Sequence, residues 1–313
     1  MKERHQKDAD FRRRLNNWFA EQKWTFEGKE EDFDRVARLS VLLLIAKILF
    51  YNFLKIRAPG FNLPPINIPI EDANGFKSLL YEYFKRCFGY ADFFKREFID
   101  DVPFPDDAKV LTQLKGFIKE IELYDLSKIG YEVLGSIFEN LIPDDERHRF
   151  GQYFTRSDVV DVILGFCVKT GDEKVLDPAC GAGTFLTRAY VWKKMMMSKK
   201  RHGEILSELK GVDIAEFACY LTRMNLAIKD IFGGFRSNVE NTDFFDLIPD
   251  EKFDAVVTNP PYTRQEELEK TFSPVYKAKL KKIAKEEGGI EVGKRMSIYG
   301  YFFFHAIKFL TEN

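Results

Sequence analysis

Apolar residues recur at three- and four-residue steps through most of the first 140 positions. They do so from Arg35-Val36-Ala37-Arg38-Leu39 into a Leu/Ile run, and again over Phe76 to Phe88, Leu111 to Ile121 and Tyr131 to Leu141. That period marks one face of an α-helix, so residues 1–145 are predicted to form an α-helical amino-terminal domain. Proline fits neither a helix interior nor a central strand. The clusters Ala58-Pro59-Gly60, Pro64-Pro65 with Pro69, and Pro103-Phe104-Pro105 are therefore read as bends between the helices. The most apolar stretch, Leu39 to Leu54, is interrupted by Lys47 after eight uncharged residues, whereas a bilayer span needs about 20 apolar residues. It is predicted to be a buried core helix, with no membrane as partner.

After Ile142-Pro143-Asp144-Asp145-Glu146 the pattern changes to short apolar runs separated by helical segments. Lys174 to Asp177, Leu209 to Ile214, Val239 to Phe244 and Phe253 to Thr258 are predicted as buried strands. Strands alternating with helices give an α/β, Rossmann-like, doubly wound parallel sheet over residues 146–313, in which ligands bind at the carboxyl ends of the strands. Two of these runs end in an acidic or polar residue and the other two carry an acid next to last, where a ligand would lie.

Composition narrows the classes. Lys plus Arg (48) nearly balances Asp plus Glu (49), so no global basic field draws the chain to a polyanion and any such site is local. Cys87, Cys167, Cys180 and Cys219 show no CxxC spacing, and His148, His202 and His305 have no companion at ligand spacing. No metal site is predicted, and a reducing, cytoplasmic location fits these thiols.

Two turns carry candidate chemistry. Asp177-Pro178-Ala179-Cys180-Gly181-Ala182-Gly183-Thr184 follows the first strand and opens a helix, so bare backbone approaches a ligand at the positive helix end. Leu186 stands where a third glycine would complete a dinucleotide fingerprint, which argues against a pyrophosphate; the same residues also suit a plain structural turn. Asp213 closes the second strand, placed either to hold ribose hydroxyls or to cap the next helix. The fourth strand delivers Asn259-Pro260-Pro261-Tyr262. The proline pair extends the backbone at Asn259 and leaves carbonyl oxygens without competing amide donors. An exocyclic amine on a planar base is a poor nucleophile, because its lone pair is delocalised into the ring. The Asn259 side-chain oxygen and the Pro260 carbonyl can bind its two N–H groups and favour a pyramidal nitrogen, while the Tyr262 ring stacks on the base.

With these residues the chain resembles the S-adenosylmethionine-dependent N6-adenine DNA methyltransferases of restriction–modification systems. The resemblance is carried by Phe150-Gly151-Gln152-Tyr153-Phe154-Thr155-Arg156, Asp177 to Leu186, Gly211-Val212-Asp213-Ile214, Asn241-Thr242-Asp243-Phe244-Phe245 and Asn259 to Tyr262. It covers roughly residues 115–313, and the helical front is similar, more loosely, to type I modification subunits. It implies that Gln152, Tyr153, Phe154 and Thr155 border the methionine end of S-adenosyl-L-methionine. Asp177, Ala179, Gly181 and Gly183 would line the same pocket and Asp213 would hold the ribose. Asp243 would bind the cofactor's adenine amine and Phe244 would pack on that ring, though as a residue Phe244 also suits plain core. Asn259, Pro260, Pro261 and Tyr262 would be catalytic. Thr155-Arg156 departs from the commoner Thr-Pro.

The resemblance further implies double-stranded DNA as substrate and a specificity or restriction subunit as partner. Four strands of seven, with Tyr299 to Leu310 read as the helix before a fifth, suggest an incomplete catalytic domain without a target-recognition domain. Lys277 to Lys285 holds five lysines, a solvated helix face or a phosphate contact. The rival functions are RNA guanine methylation, protein-glutamine methylation, and a non-catalytic cofactor-binding or assembly module.

Overall fold

The computed structural model describes residues 1–21, 26–69, 72–88, 94–105, 107–126, 155–229, 237–261, 274–289 and 296–312. The chain divides into two compact units, Met1–Leu141 with Ala227–Arg236, and Ile142–Leu226 with Ser237–Asn313.

The first unit is helical among its described residues. Its helices are α1 (Lys2–Lys7), α2 (Ala9–Glu21), α3 (Glu30–Arg57), α4 (Ala73–Lys85) and α5 (Ala108–Leu123). The predicted helix Tyr131 to Leu141 lies outside the described residues. The buried core helix expected over Leu39 to Leu54 is part of α3, and Lys47, which interrupts the apolar run, is buried within it. Its ammonium is paired with Asp100 at 2.8 Å and donates to the Lys95 carbonyl at 3.1 Å, which answers a charge that would otherwise be buried alone. By length and composition α3 is apolar enough to cross a membrane, and 67% of its apolar window is buried inside the protein. Phe50, Tyr51 and Phe53 are among its fully buried side chains.

The second unit holds a four-stranded, all-parallel sheet of order β3-β2-β1-β4, with β1 Val175–Asp177, β2 Leu209–Asp213, β3 Asn238–Asn241 and β4 Ala255–Val256. Its helices are α6 (Ser157–Cys167), α7 (Thr184–Met196), α8 (His202–Ser207), α9 (Glu216–Ala227), α10 (Pro274–Gly288) and α11 (Ile298–Ile307). Each predicted strand is present but shorter than its apolar run. The third stops at Asn241 rather than Phe244, because the Asp243 carboxylate accepts the Phe245 N–H at 3.1 Å and starts a 3-10 turn over Phe244–Asp246. After α11, Leu310 pairs in parallel with Phe253 on the β4 side of the sheet.

Register sets the site. Val175 pairs with Leu209 and with Ala255, and Asp177 with Gly211. Three chain segments therefore leave the sheet side by side at its carboxyl edge: Asp177-Pro178, Asp213-Ile214 and Thr258-Asn259. Adjacent strands lie about 4.8 Å apart, so this edge is narrow. One sheet face is sealed by Leu176, Val212, Phe244, Phe253, Leu280, Tyr301, Phe302 and Phe309. Near the opposite end the fully buried Lys193 donates to Glu208 at 2.7 Å and to the Gly171 carbonyl at 3.2 Å, tying α7 to the segment before β1.

Candidate functional site: the carboxyl edge of the sheet

The turn after β1 is held from both sides. Cys180 N donates to the Val212 carbonyl at 2.9 Å and Gly181 N to Asp213 Oδ2 at 2.9 Å. From α9, Thr222 Oγ1 donates to the Gly181 carbonyl at 2.7 Å and Asn225 Nδ2 to the Ala182 carbonyl at 2.9 Å. The sequence reading missed Thr222 and Asn225. Their signal is two polar residues at i, i+3 on a helix that is otherwise apolar on that side, and both are buried.

The two glycines play different parts. Both have positive φ, +53° at Gly181 and +86° at Gly183. A methyl added at Gly183 would meet Thr222 Cγ2 at 2.8 Å, whereas one added at Gly181 meets nothing within 4 Å. Gly183 is thus required by the fold, where the loop presses on α9. Gly181 borders open space on the side where a ligand would lie. A left-handed conformation costs a non-glycine residue about 1–2 kcal/mol. Gly183→Ala is expected to lose more stability than Gly181→Ala, by about 1–3 kcal/mol once the contact with Thr222 is added. Urea denaturation of the two variants checks this; equal losses would contradict the distinction.

The strand-end acids are out of water. Asp177 is 1% exposed and Asp213 8%. Burial pushes the Asp177 carboxyl up to about 7, against the Thr258 hydroxyl and the Ala179 N–H, with the Asp213 charge adding to the rise. Burial likewise raises Asp213 to about 6, opposed by the N–H groups of Ala215, Gly181 and Ile214. Asp213 accepts from Ala215 N at 2.8 Å as well as from Gly181 N, so it ties the glycine loop to the start of α9. Asn241, at the end of β3, donates to the carbonyls of Asp213 and Ile214 at 3.0 and 2.9 Å.

The other residues singled out in the sequence distribute unevenly. Ala179, Thr155, Asn259, Pro260 and Pro261 are half-buried, and none of them lies in the packed interior. Val257 N donates to the Leu176 carbonyl at 2.9 Å, which continues the β1 pairing past β4 and brings Thr258-Asn259-Pro260 out beside Asp177. Asp243 is buried on the other flank, beyond β3. Phe244 is fully packed: its ring stacks on Phe302 at 5.3 Å and lies 4.7 Å from the His305 ring and 5.3 Å from that of Phe309. These aromatic neighbours leave Phe244 2% exposed. Gln152, Tyr153, Phe154 and Tyr262 lie outside the described residues. No group of three potential metal ligands occurs among the described residues.

This edge fits a cationic, hydrogen-bonding cofactor on the chemistry of its own groups. Asp177 and Asp213 are buried with no ion-pair partner among the described residues, and Gly181 leaves room beside them. An uncompensated buried acid weakens the fold in its ionised form. With the folded Asp177 titrating near 7 and the unfolded near 3.8, the cost is absent below about pH 4, grows as pH rises, and is complete above about 7. Asp177→Asn is therefore expected to stabilise the free chain by a few kcal/mol at pH 8 and to make little difference at pH 4. Urea midpoints across that range check the trend; a gain confined to low pH would contradict it.

Comparison with known proteins agrees with this arrangement. The family pattern of N-6 DNA methylases matches residues 130–289. The methylase subunit of the type I restriction enzyme EcoEI from Escherichia coli is 26% identical over 184 residues, which are 57% of this chain and 37% of that protein. The methylase subunit of the type I restriction enzyme MjaVII from Methanocaldococcus jannaschii is 27% identical over 164 residues, 50% of this chain and 26% of that protein. The alignments thus span well under half of these relatives' lengths. Among solved structures, the ATP-dependent type ISP restriction-modification enzyme LlaBIII bound to DNA superposes with a TM-score of 0.55 at 15% identity, over 98% of this chain and 22% of that one. That likeness is one of fold. With more than half of its length matched by the family pattern, the chain belongs to the N-6 DNA methylase family.

Proposed function

We propose that this chain carries the catalytic edge of a restriction–modification methyltransferase that moves a methyl group from S-adenosyl-L-methionine to the N6 amine of adenine in double-stranded DNA. The observation that carries the reading is the register of β4 against β1. It brings Asn259-Pro260 out at the same edge as the glycine loop and Asp177, so an amine held by one and a methyl donor held by the other would meet.

The cofactor would supply an electrophilic methyl group on a sulfonium cation. The chain's own residues do the rest. Asp177 and Thr258 would hold the cationic end of the cofactor, and Gly181 would let backbone approach it. Asp213 keeps the loop shaped and presents its remaining acceptor capacity to hydroxyl groups. Asp243 would accept from an exocyclic amine on the cofactor's ring. The Asn259 side-chain oxygen and the Pro260 carbonyl accept the two N–H groups of the target base, localising its lone pair on nitrogen; Tyr262 supplies the stacking ring. The base has to leave the DNA stack to reach this edge. Gln152, Tyr153, Phe154 and Thr155 would close the methionine end.

The relatives are methylase subunits of type I restriction enzymes, which supports a specificity or restriction subunit as partner and DNA, rather than RNA or a protein glutamine, as the substrate class. A cytoplasmic location accords with the free cysteines. Assembled with its partner subunits, Asn259→Ala is expected to lower N6-adenine methylation by about a hundredfold or more while changing cofactor affinity less than about threefold. Tritium transfer to DNA and calorimetric titration measure the two quantities. Undiminished transfer would refute the role of Asn259, and transfer to RNA or protein alone would refute the substrate.

A further inference from the structure

The chain's formal charge is −1, so a surface for a polyanion has to be local. Helix α10 (Pro274–Gly288) offers one. Its apolar side is seated by Leu280 and Ala284, which are sealed in the cluster with Phe244, Tyr301 and Phe302. Lys279 is committed to Asp246 at 2.5 Å, and Lys282 stands 3.7 Å from Glu286. The other three lysines, Lys277, Lys281 and Lys285, recur at four-residue steps and so form a single row along the helix. Lys281 and Lys285 are exposed, and Lys277 is half-buried at the start of the row. No carboxylate stands three or four positions from any of them within the helix. Like charges at that spacing repel and weaken a helix, so the row is unfavourable for the chain alone and favourable once an anion lies along it. Its dimensions suit a regular polyanion. Four residues advance a helix by about 6 Å, so the row spans about 12 Å. Over that axial length one strand of duplex DNA presents about three to four phosphates.

We propose that Lys277, Lys281 and Lys285 form a contact surface for the phosphate backbone of double-stranded DNA, holding the duplex against this chain without regard to base sequence. The inference rests on the DNA substrate proposed above and adds the residues that bind its backbone. α10 is the first described element after Asn259-Pro260-Pro261, which puts a backbone contact next in the chain after the residues proposed to hold the base. Ammonium–phosphate contacts release counterions, so each one shows in the salt dependence of binding rather than in sequence preference.

The test follows the fluorescence anisotropy of a labelled duplex of about 30 base pairs and mixed sequence, titrated with the full chain between about 50 and 200 mM KCl. Replacing all three residues together (Lys277→Gln, Lys281→Gln and Lys285→Gln) is expected to weaken binding about a hundredfold at about 100 mM salt, and to reduce the slope of log affinity against log salt by about 2–3. A matched variant with Lys109→Gln, Lys115→Gln and Lys119→Gln on α5 changes the net charge equally and is expected to alter affinity less than about threefold. Circular dichroism establishes that each variant is folded. An unchanged slope in the folded α10 variant, or an equal loss in the α5 variant, overturns the proposal. Should the α10 triple variant not fold, Lys281→Gln and Lys285→Gln decide singly, each expected to lower the slope by about 0.9; unchanged slopes overturn the proposal. A wild type that binds no duplex DNA, or that binds a polyglutamate peptide or duplex RNA more tightly, overturns DNA as the occupant. Calorimetry of the wild type with S-adenosyl-L-methionine keeps the two readings apart. Duplex binding that depends on the row, in a chain that binds no S-adenosyl-L-methionine, upholds the surface and overturns the methyl-donor reading.

Discussion

Parallel pairing of Val175 with Leu209 draws two carboxylates, Asp177 and Asp213, out of water at one edge of a sheet. Burial of a carboxylate is unfavourable, and burial of two near each other is more so. The backbone N–H groups of Gly181, Ala215 and Ala179 answer part of that cost and in doing so shape the loop. The remainder is unanswered within the described chain and amounts to an affinity for positive charge at the sheet's edge. The loop geometry, the need for Gly183 and the clamp from Thr222 and Asn225 all serve to keep the two acids where they are.

The same edge receives Asn259 and Pro260 by the ordinary consequence of strand order. With β4 beside β1 and β2 on its other side, Asn259-Pro260 and the glycine loop come from adjacent strands, while Asp243 arrives from beyond β3. Membership of the N-6 DNA methylase family thus accords with a physical layout: two buried acids, a glycine loop and the Asn259-Pro260 segment, brought to one rim by parallel pairing.

Much of this was legible in the sequence because it depends on local pattern. Four apolar runs marked four strands, and the spacing of Gly181 and Gly183 after Asp177 marked the turn. Other features were not legible, because they depend on contacts between distant residues. Nothing local told that Asp243 would cap Phe245 and end β3 at Asn241, or that Phe302, His305 and Phe309 would enclose Phe244. Lys47 looked like an interruption of an apolar run until Asp100, over fifty positions away, became its partner. Lys193 belongs to a basic run, with Lys194 beside it in the sequence, yet it is fully buried against Glu208. Lys279 belonged to another such run, and Asp243 and Asp246, more than thirty positions upstream, pair with it.

The central claim is that the two strand-end acids form the binding place of a cationic cofactor. Calorimetric titration of the full chain with S-adenosyl-L-methionine at pH 6 and pH 8, in buffers of different ionisation enthalpy, tests it most directly. Because the free Asp177 carboxyl titrates near 7 and a cation selects its ionised form, the account predicts saturable binding that is tighter at pH 8 and releases protons at pH 6. No saturable binding, or affinity that is equal at the two pH values with no proton release, would contradict it.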